Sequence, residues 1–361
     1  MSTAAVVGAG VTGSALAGEL ARRGFDVTLV EQHRPGTVRS ASGGDTRLTR
    51  AGHGPEEWYA RSALRALELW RRLERETGVR LFEEVGLAWL ARSTDGFEAR
   101  CRPVLEQLGV EHEWLTPDEG RSLFPTLDPD GLEGILWEPG AGVLHARAGT
   151  QLLAAEAVRL GVRFETARAQ PAAPPAADIV VWACGAWLPS LFPGLVEVEV
   201  SRRDVFFFGG GAAWNGAPGF VEYDAGFYGH GDVGGLGVKV CPDFSAPLVE
   251  PDTLERLPAS ALLEDARRYA GARFPGLASA PVLGARVCQY DLTADTHFLV
   301  DRHPERTGWW LVGGGSGHGF KHGPALAEYV ADCIEGSGEP EAFHGLGARS
   351  GDAGLRTGAG L

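Results

Sequence analysis

Lysine is almost absent from this chain of 361 residues. Of its 33 basic side chains, two are lysines, Lys239 and Lys321, and the other 31 are arginines. Positive charge as a whole is in deficit, because 47 acidic residues bring the net charge to −14. A field of that sign does not suit nucleic acid or an anionic membrane surface, both of which need cations. No apolar run approaches the roughly 18 residues needed to span a bilayer. The apolar start of the chain lacks the basic region and small-residue cleavage site of a secretory signal. Cysteine is scarce and unpatterned: Cys101, Cys184, Cys241, Cys288 and Cys333 are odd in number, scattered, and in no Cys-x-x-Cys or Cys/His grouping. Neither a disulfide framework nor a metal site is expected, and a reducing cytoplasm is the expected location. Repeats and low-complexity runs are missing too, so the 52 glycines point to tight turns and close backbone approaches. An apolar content of 44% with 22% charged residues is ordinary for a folded protein, and the length predicts two domains.

What is present starts at residue 4. Ala4-Ala5-Val6-Val7 reads as a buried strand, Gly8-Ala9-Gly10-Val11-Thr12-Gly13 as a turn, and Ser14 to Arg23 as a helix with Leu16 and Leu20 on one face. Gly24 ends that helix, Val27-Thr28-Leu29-Val30 reads as a second strand, and Glu31 closes it. This is a dinucleotide fingerprint in its strand–turn–helix–strand setting. Gly8 permits the tight turn, Gly10 the approach of a pyrophosphate, and Gly13 the packing of helix on strand. The helix N-terminus offers free N–H groups to phosphate. A carboxylate at Glu31 suits ribose hydroxyls and repels a 2′-phosphate. FAD and NAD remain equal readings at this point.

Further along, 55–78 reads as an amphipathic helix through Ala60, Leu64, Leu67, Trp70 and Leu73. The segment 81–91 reads as strands around Gly86, 116–142 as loop, 147–160 as helix, and 179–182 as a buried strand running into Gly185. The region 197–240 is β-rich, 251–274 is expected to be helical, and 282–290 and 309–312 to be strands. A second glycine-rich turn, Gly313 to Gly319, precedes a helix over 323–334, and the tail after Gly345 is expected to be loosely held. The expected fold class is α/β: a Rossmann-type nucleotide domain from 1–80, 143–196 and 284–345, with an inserted, mainly antiparallel β-sheet substrate domain from 81–142 and 197–283.

Four stretches together resemble the monomeric sarcosine oxidase and N-methyltryptophan oxidase branch of the D-amino-acid-oxidase-like flavoenzymes. They are the fingerprint ending at Glu31, the segment Ser42-Gly43-Gly44-Asp45-Thr46-Arg47-Leu48-Thr49-Arg50, the pair Phe227-Tyr228-Gly229 and Gly237-Val238-Lys239, and the run from Cys288-Gln289-Tyr290 to Gly317-His318-Gly319-Phe320-Lys321. The resemblance implies FAD, two domains, a monomer, and oxidation of a secondary amine (an N-methyl or cyclic amino acid) to an imine, with dioxygen reduced to hydrogen peroxide. Related flavoproteins that oxidise a 2-hydroxy acid or use another electron acceptor are the alternative. It also implies cofactor contacts at Gly44, Asp45, Thr46, Arg47, Gly185, Gly315, Gly317, His318, Gly319, Phe320 and Lys321.

Cys288 matches the cysteine that carries a thioether to the flavin, a bond that needs a thiolate and is favoured by a nearby cation. The other reading is an inert buried thiol, and the remaining four cysteines keep it. Arg50 and Lys321 match a pair that holds the substrate carboxylate, one as a planar fork and one as a compact charge. Lys239 matches the lysine that assists dioxygen by stabilising the anion formed on its first reduction. Tyr228 and Tyr290 match aromatic positions near the substrate, with core packing as their bland alternative. Two positions depart from the pattern: Asp243 and Gly43 stand where the sarcosine-type enzymes have histidines. Asp243 favours a cation, which points away from sarcosine itself towards a larger or cyclic amine, unless it merely tops a turn.

Overall fold

The computed structural model describes residues 1–244, 246–347, 349 and 354–355. Thr3–Val7, Asp26–Glu31, Ile179–Trp182 and Trp309–Gly313 form the heart of a six-stranded sheet, completed by Leu299–Arg302 at one edge and Arg163–Thr166 at the other. All pairings are parallel except that of Leu299–Arg302 with Trp309–Gly313. Parallel strands must be covered on both faces. The helix Val11–Arg22 does part of this, inserting fully buried Leu16 and Leu20 among Val6, Leu29 and Val330. Each such side chain contributes roughly 1.5–3 kcal/mol by leaving water. The helices Ala146–Arg159 and Gly323–Glu335 pack against it.

A second sheet has eight strands in the order Val282–Leu292, Glu199–Phe208, Val238–Pro242, Phe227–His230, Gly219–Glu222, Leu87–Ala91, Gly134–Glu138 and Glu113–Leu115. It is antiparallel apart from the pairing of Gly219–Glu222 with Leu87–Ala91. Its longest ladder joins Glu199–Phe208 to Val282–Leu292, with Ser201 opposite Tyr290 and Arg203 opposite Cys288. The boundary expected at 284 therefore falls inside a strand of this sheet. A small third sheet pairs Thr46–Thr49 with Gly142–His145 and Phe82–Glu83.

Several local expectations differ from the fold. The stretch 116–142, expected as loop, contains the strand Gly134–Glu138 and a short 3-10 turn at Glu119–Ser122. Its prolines and glycines flank the strand and do not interrupt it. The helix expected over 251–274 occupies only Ser260–Arg273, because Pro258 fixes the backbone just before it. The tail lies largely outside the described residues. Of its described part, Leu355 is fully buried in the nucleotide-domain core, and Arg349 pairs with Asp295 at 2.9 Å. Among the described residues no helix is long and apolar enough to cross a membrane.

Candidate active site

The C-terminal ends of four parallel strands open onto one cleft of about 1300 Å³, lined by Val7, Val30, Ala183 and Gly313 and open to solvent. Ligands of open α/β sheets bind at this end of the strands. Gly8, Gly10, Glu31, Arg47, Gly185, Tyr290, Gly315, Gly317, Gly319 and Phe320 line the same cleft.

Sterics explain the first glycines. Gly8 has φ +105°, and a Cβ there would sit 2.4 Å from the Ala183 carbonyl oxygen; a Cβ on Gly13 would sit 1.9 Å from the Gly8 oxygen. Gly13 therefore supports the turn from beneath. Ser42 Oγ accepts from Val11 N at 3.0 Å and tethers the 42–50 segment to the start of the helix. Glu31 accepts from Ala9 N at 2.8 Å and from His33 N at 2.8 Å, so its carboxylate is fixed beside the turn. A narrow glycine cradle, a helix N-terminus and a fixed carboxylate are the donor and acceptor set of an adenine dinucleotide.

A second cavity of about 390 Å³ is lined by Gly43, Gly44, Asp45, Thr46, Arg47, Lys239, Arg286 and Cys288. Arg47 lines both spaces, and its Nη2 lies 3.4 Å from Cys288 Sγ. Among the described residues the other four cysteines have no guanidinium at hydrogen-bond distance. Burial pushes the Cys101 and Cys184 thiols far up, Cys241 to about 12 and Cys333 to about 11.

Lys239 is 1% exposed, donates to the Thr46 carbonyl at 3.2 Å, and has its Nζ 5.2 Å from the centre of the Tyr228 ring. The strand Val238–Pro242 is buried on both sides, so Lys239 faces an interior and not solvent. Burial, and then the charge of Arg47, pull Lys239 down to about 8.

Arg50 and Lys321 form the third group. Burial lowers both from their ordinary values, and the Arg50 charge lowers Lys321 further. Among the described residues neither forms an ion pair. Arg50 instead lies over Trp89, 4.7 Å from the ring centre, and Lys321 donates to the His318 carbonyl at 2.8 Å. A buried lysine and a partly exposed arginine that feel each other's charge, with no ion pair among the described residues, suit an anion.

The Tyr228 and Tyr290 hydroxyls are 3.0 Å apart, and burial raises both well above their ordinary values. Asp243 does find a cation, but one supplied by the protein: Arg203 Nε donates to it at 3.0 Å, with both side chains buried, and that guanidinium also lies 4.9 Å from the Tyr290 ring centre. Gly43 permits no side chain, since a Cβ would sit 1.8 Å from the Thr37 carbonyl oxygen. Two residues expected at the cofactor have partners within the protein. Asp45 pairs with Arg286 at 2.9 Å and Arg147 at 3.4 Å, and His318 Nε2 donates to the Thr296 carbonyl at 2.9 Å, away from the cleft.

Sequence reasoning gave no role to Ser42, Arg203, Glu138 or Asp291. Glu138 is a buried carboxylate that accepts from Ala51 N at 2.9 Å, Gly52 N at 3.2 Å and Trp89 Nε1 at 2.7 Å, fixing the turn just after Arg50. Asp291 accepts from Gly315 N at 3.1 Å and shapes the second glycine turn. Strand alternation sets Asp291 on the face opposite Tyr290, so a local signal was missing there. Arg203 is one arginine among 31 and carries no such signal.

The family described as DAO, FAD dependent oxidoreductase, matches residues 3–333. This chain belongs to that family. It is 31% identical over 357 residues to a monomeric sarcosine oxidase of Bacillus sp. (strain NS-129), covering 90% of this chain and 91% of that protein. It is 27% identical over 358 residues to an N-methyl-L-tryptophan oxidase of Yersinia pestis (strain Pestoides F), covering 90% and 93%. Among solved structures it is similar to L-proline dehydrogenase from P. horikoshii, with a TM-score of 0.83, 22% identity and 96% of each chain covered. The FAD of this family fits the cleft as described, and the alternative of an NAD-dependent dehydrogenase falls away.

Proposed function

We propose that this FAD-dependent oxidoreductase oxidises the CH–NH bond of a secondary amino acid, N-methyl or cyclic, to an imine, and that dioxygen is reduced to hydrogen peroxide. Bound in the cleft, FAD supplies the acceptor for the two electrons that leave the C–H bond. The observation that carries the substrate class is the pair Arg50 and buried Lys321, neither of which forms an ion pair among the described residues. Arg50 offers a planar fork and Lys321 a point charge to one carboxylate. Holding that carboxylate fixes the reacting carbon and removes much of the orientational cost of the reaction. The burial of Lys239 in the second cavity supports a role in stabilising the negative charge that dioxygen gains on reduction. The 3.4 Å approach of Arg47 to Cys288 supports a covalent attachment of the flavin through that sulfur. Five free cysteines are compatible with a reducing compartment.

The arginine pairing of Asp243 alters the expectation about substrate. Its charge is balanced by Arg203, so it need not recognise a cationic substrate group. The experiment is anaerobic bleaching of the flavin by sarcosine, N-methyl-L-tryptophan and L-proline, followed by admission of air. Bleaching by at least one of these, with stoichiometric peroxide on reoxidation, is expected. Bleaching by a 2-hydroxy acid in preference to every amine would overturn the reading.

A further inference from the structure

We propose that His53 is the positioning residue for Arg50, and that it works as a neutral acceptor. This rests on the carboxylate-binding role given to Arg50 above. His53 is 1% exposed. Its Nδ1 lies 2.8 Å from the Ala51 carbonyl, which can only accept, and its Nε2 lies 2.9 Å from Arg50 Nη1, which can only donate. One protonation state satisfies both contacts: Nδ1 carries the hydrogen and Nε2 offers its lone pair. The imidazole is therefore neutral, and burial together with the charges of Lys321 and Arg50 keeps it so.

The consequence is electrostatic. A carboxylate at this position would orient the guanidinium equally well, but it would cancel the charge that a substrate carboxylate needs. His53 orients Arg50 and leaves its charge intact. The two carboxylates whose charges reach Arg50, Glu138 and Asp243, are committed elsewhere: Glu138 to Ala51 N, Gly52 N and Trp89 Nε1, and Asp243 to Arg203. Glu138 also holds His53 in place through the backbone, because it anchors the turn on which His53 sits. Gly52 admits no side chain there, since its Cβ would meet Glu138 Oε1 at 2.7 Å.

His53, His318 and His322 also place one nitrogen each within 4.8 Å of one another, as metal ligands do, and His318 Nδ1 and His322 Nε2 have no hydrogen-bond partner among the described residues. Arg50 decides against an ion. It occupies the His53 lone pair that a metal would need, and with Lys321 it sets two positive charges beside the cluster.

The test uses the flavin-loaded enzyme and sodium benzoate as a carboxylate probe, with benzyl alcohol as its uncharged counterpart. Binding is read from the flavin absorbance spectrum, and flavin content and thermal melting control for folding. His53→Leu is expected to raise the benzoate Kd at least tenfold. His53→Gln, whose amide oxygen can accept from Arg50, should stay within about threefold of the parent. His53→Glu should weaken benzoate as much as leucine does, because it neutralises Arg50. The benzyl alcohol Kd should not change in any variant. If His53→Leu does not fold, the comparison of His53→Gln with His53→Glu remains, and equal benzoate affinity in those two overturns the proposal. So does a His53→Leu enzyme that binds benzoate like the parent. Binding of one zinc ion per chain that His53→Gln abolishes also overturns it. A parent enzyme that shows no preference for benzoate over benzyl alcohol would instead sink the carboxylate reading of Arg50 and Lys321.

Discussion

At Lys239 a single ammonium is held in an interior that gives it one carbonyl and one aromatic face. Its pKa is pulled down to about 8, first by burial and then by Arg47. The charged form is therefore present below that pH and lost above it. If the cation assists dioxygen, the second-order rate of flavin reoxidation falls as pH rises through about 8. Lys239→Met should give a slow, pH-independent reoxidation while flavin reduction by amine changes little. Stopped-flow measurement of the two half-reactions separates these outcomes, and equal slowing of both would remove the assigned role. Cys288 makes a second residue-scale prediction. Acid precipitation of the parent should carry the yellow colour into the pellet, and the same treatment of Cys288→Ala should leave it in the supernatant. The other four thiols are pushed up by burial, so colour retained in the Cys288→Ala pellet would refute the assignment. At Gly43 the Thr37 carbonyl stands where a Cβ would be, so Gly43→His is expected to lower the melting temperature.

Among the elements, the first helix carries both the fold and the site. Its apolar face buries Leu16 and Leu20 completely, and its first turn points at the cleft. Leu16→Ala leaves a cavity in a layer that cannot collapse without moving the helix against the sheet, at a cost of about 2–5 kcal/mol. Urea unfolding followed by far-UV circular dichroism checks this. Leu248→Ala, at a position 61% exposed, should stay within about 0.5 kcal/mol of the parent. The helix was legible because its periodicity, its glycines and its flanking strands all agree. The strand Gly134–Glu138 was not, because the turn-forming residues around it dominate the local pattern. Its last residue, Glu138, matters through contacts with positions roughly 50 and 90 residues away, which no local pattern encodes.

For the whole molecule, the cleft is walled by the ends of four strands, the 42–50 segment and the second glycine turn, all distant in sequence. A ligand that touches all of them stabilises only the folded state. In Cys288→Ala, where the flavin is expected to exchange freely, FAD at 100 times its Kd should therefore raise the unfolding free energy by about 2.7 kcal/mol. A melting temperature that does not respond to added FAD would mean that the cleft is not its site.

The sequence alone determined the nucleotide half of this protein. A strand, a glycine turn, a helix and a terminal acid are local features, and local sterics dictate them. It also marked the two lysines, because scarcity weakens the bland reading of each. The tertiary structure decided what those charges face. Lys239 meets a carbonyl and a ring, Lys321 feels the charge of Arg50 and forms no ion pair among the described residues, and Asp243 is paired with Arg203 from the neighbouring strand. Each of these depends on strand register and on the desolvation of an interior, which are set by packing between segments far apart in the chain.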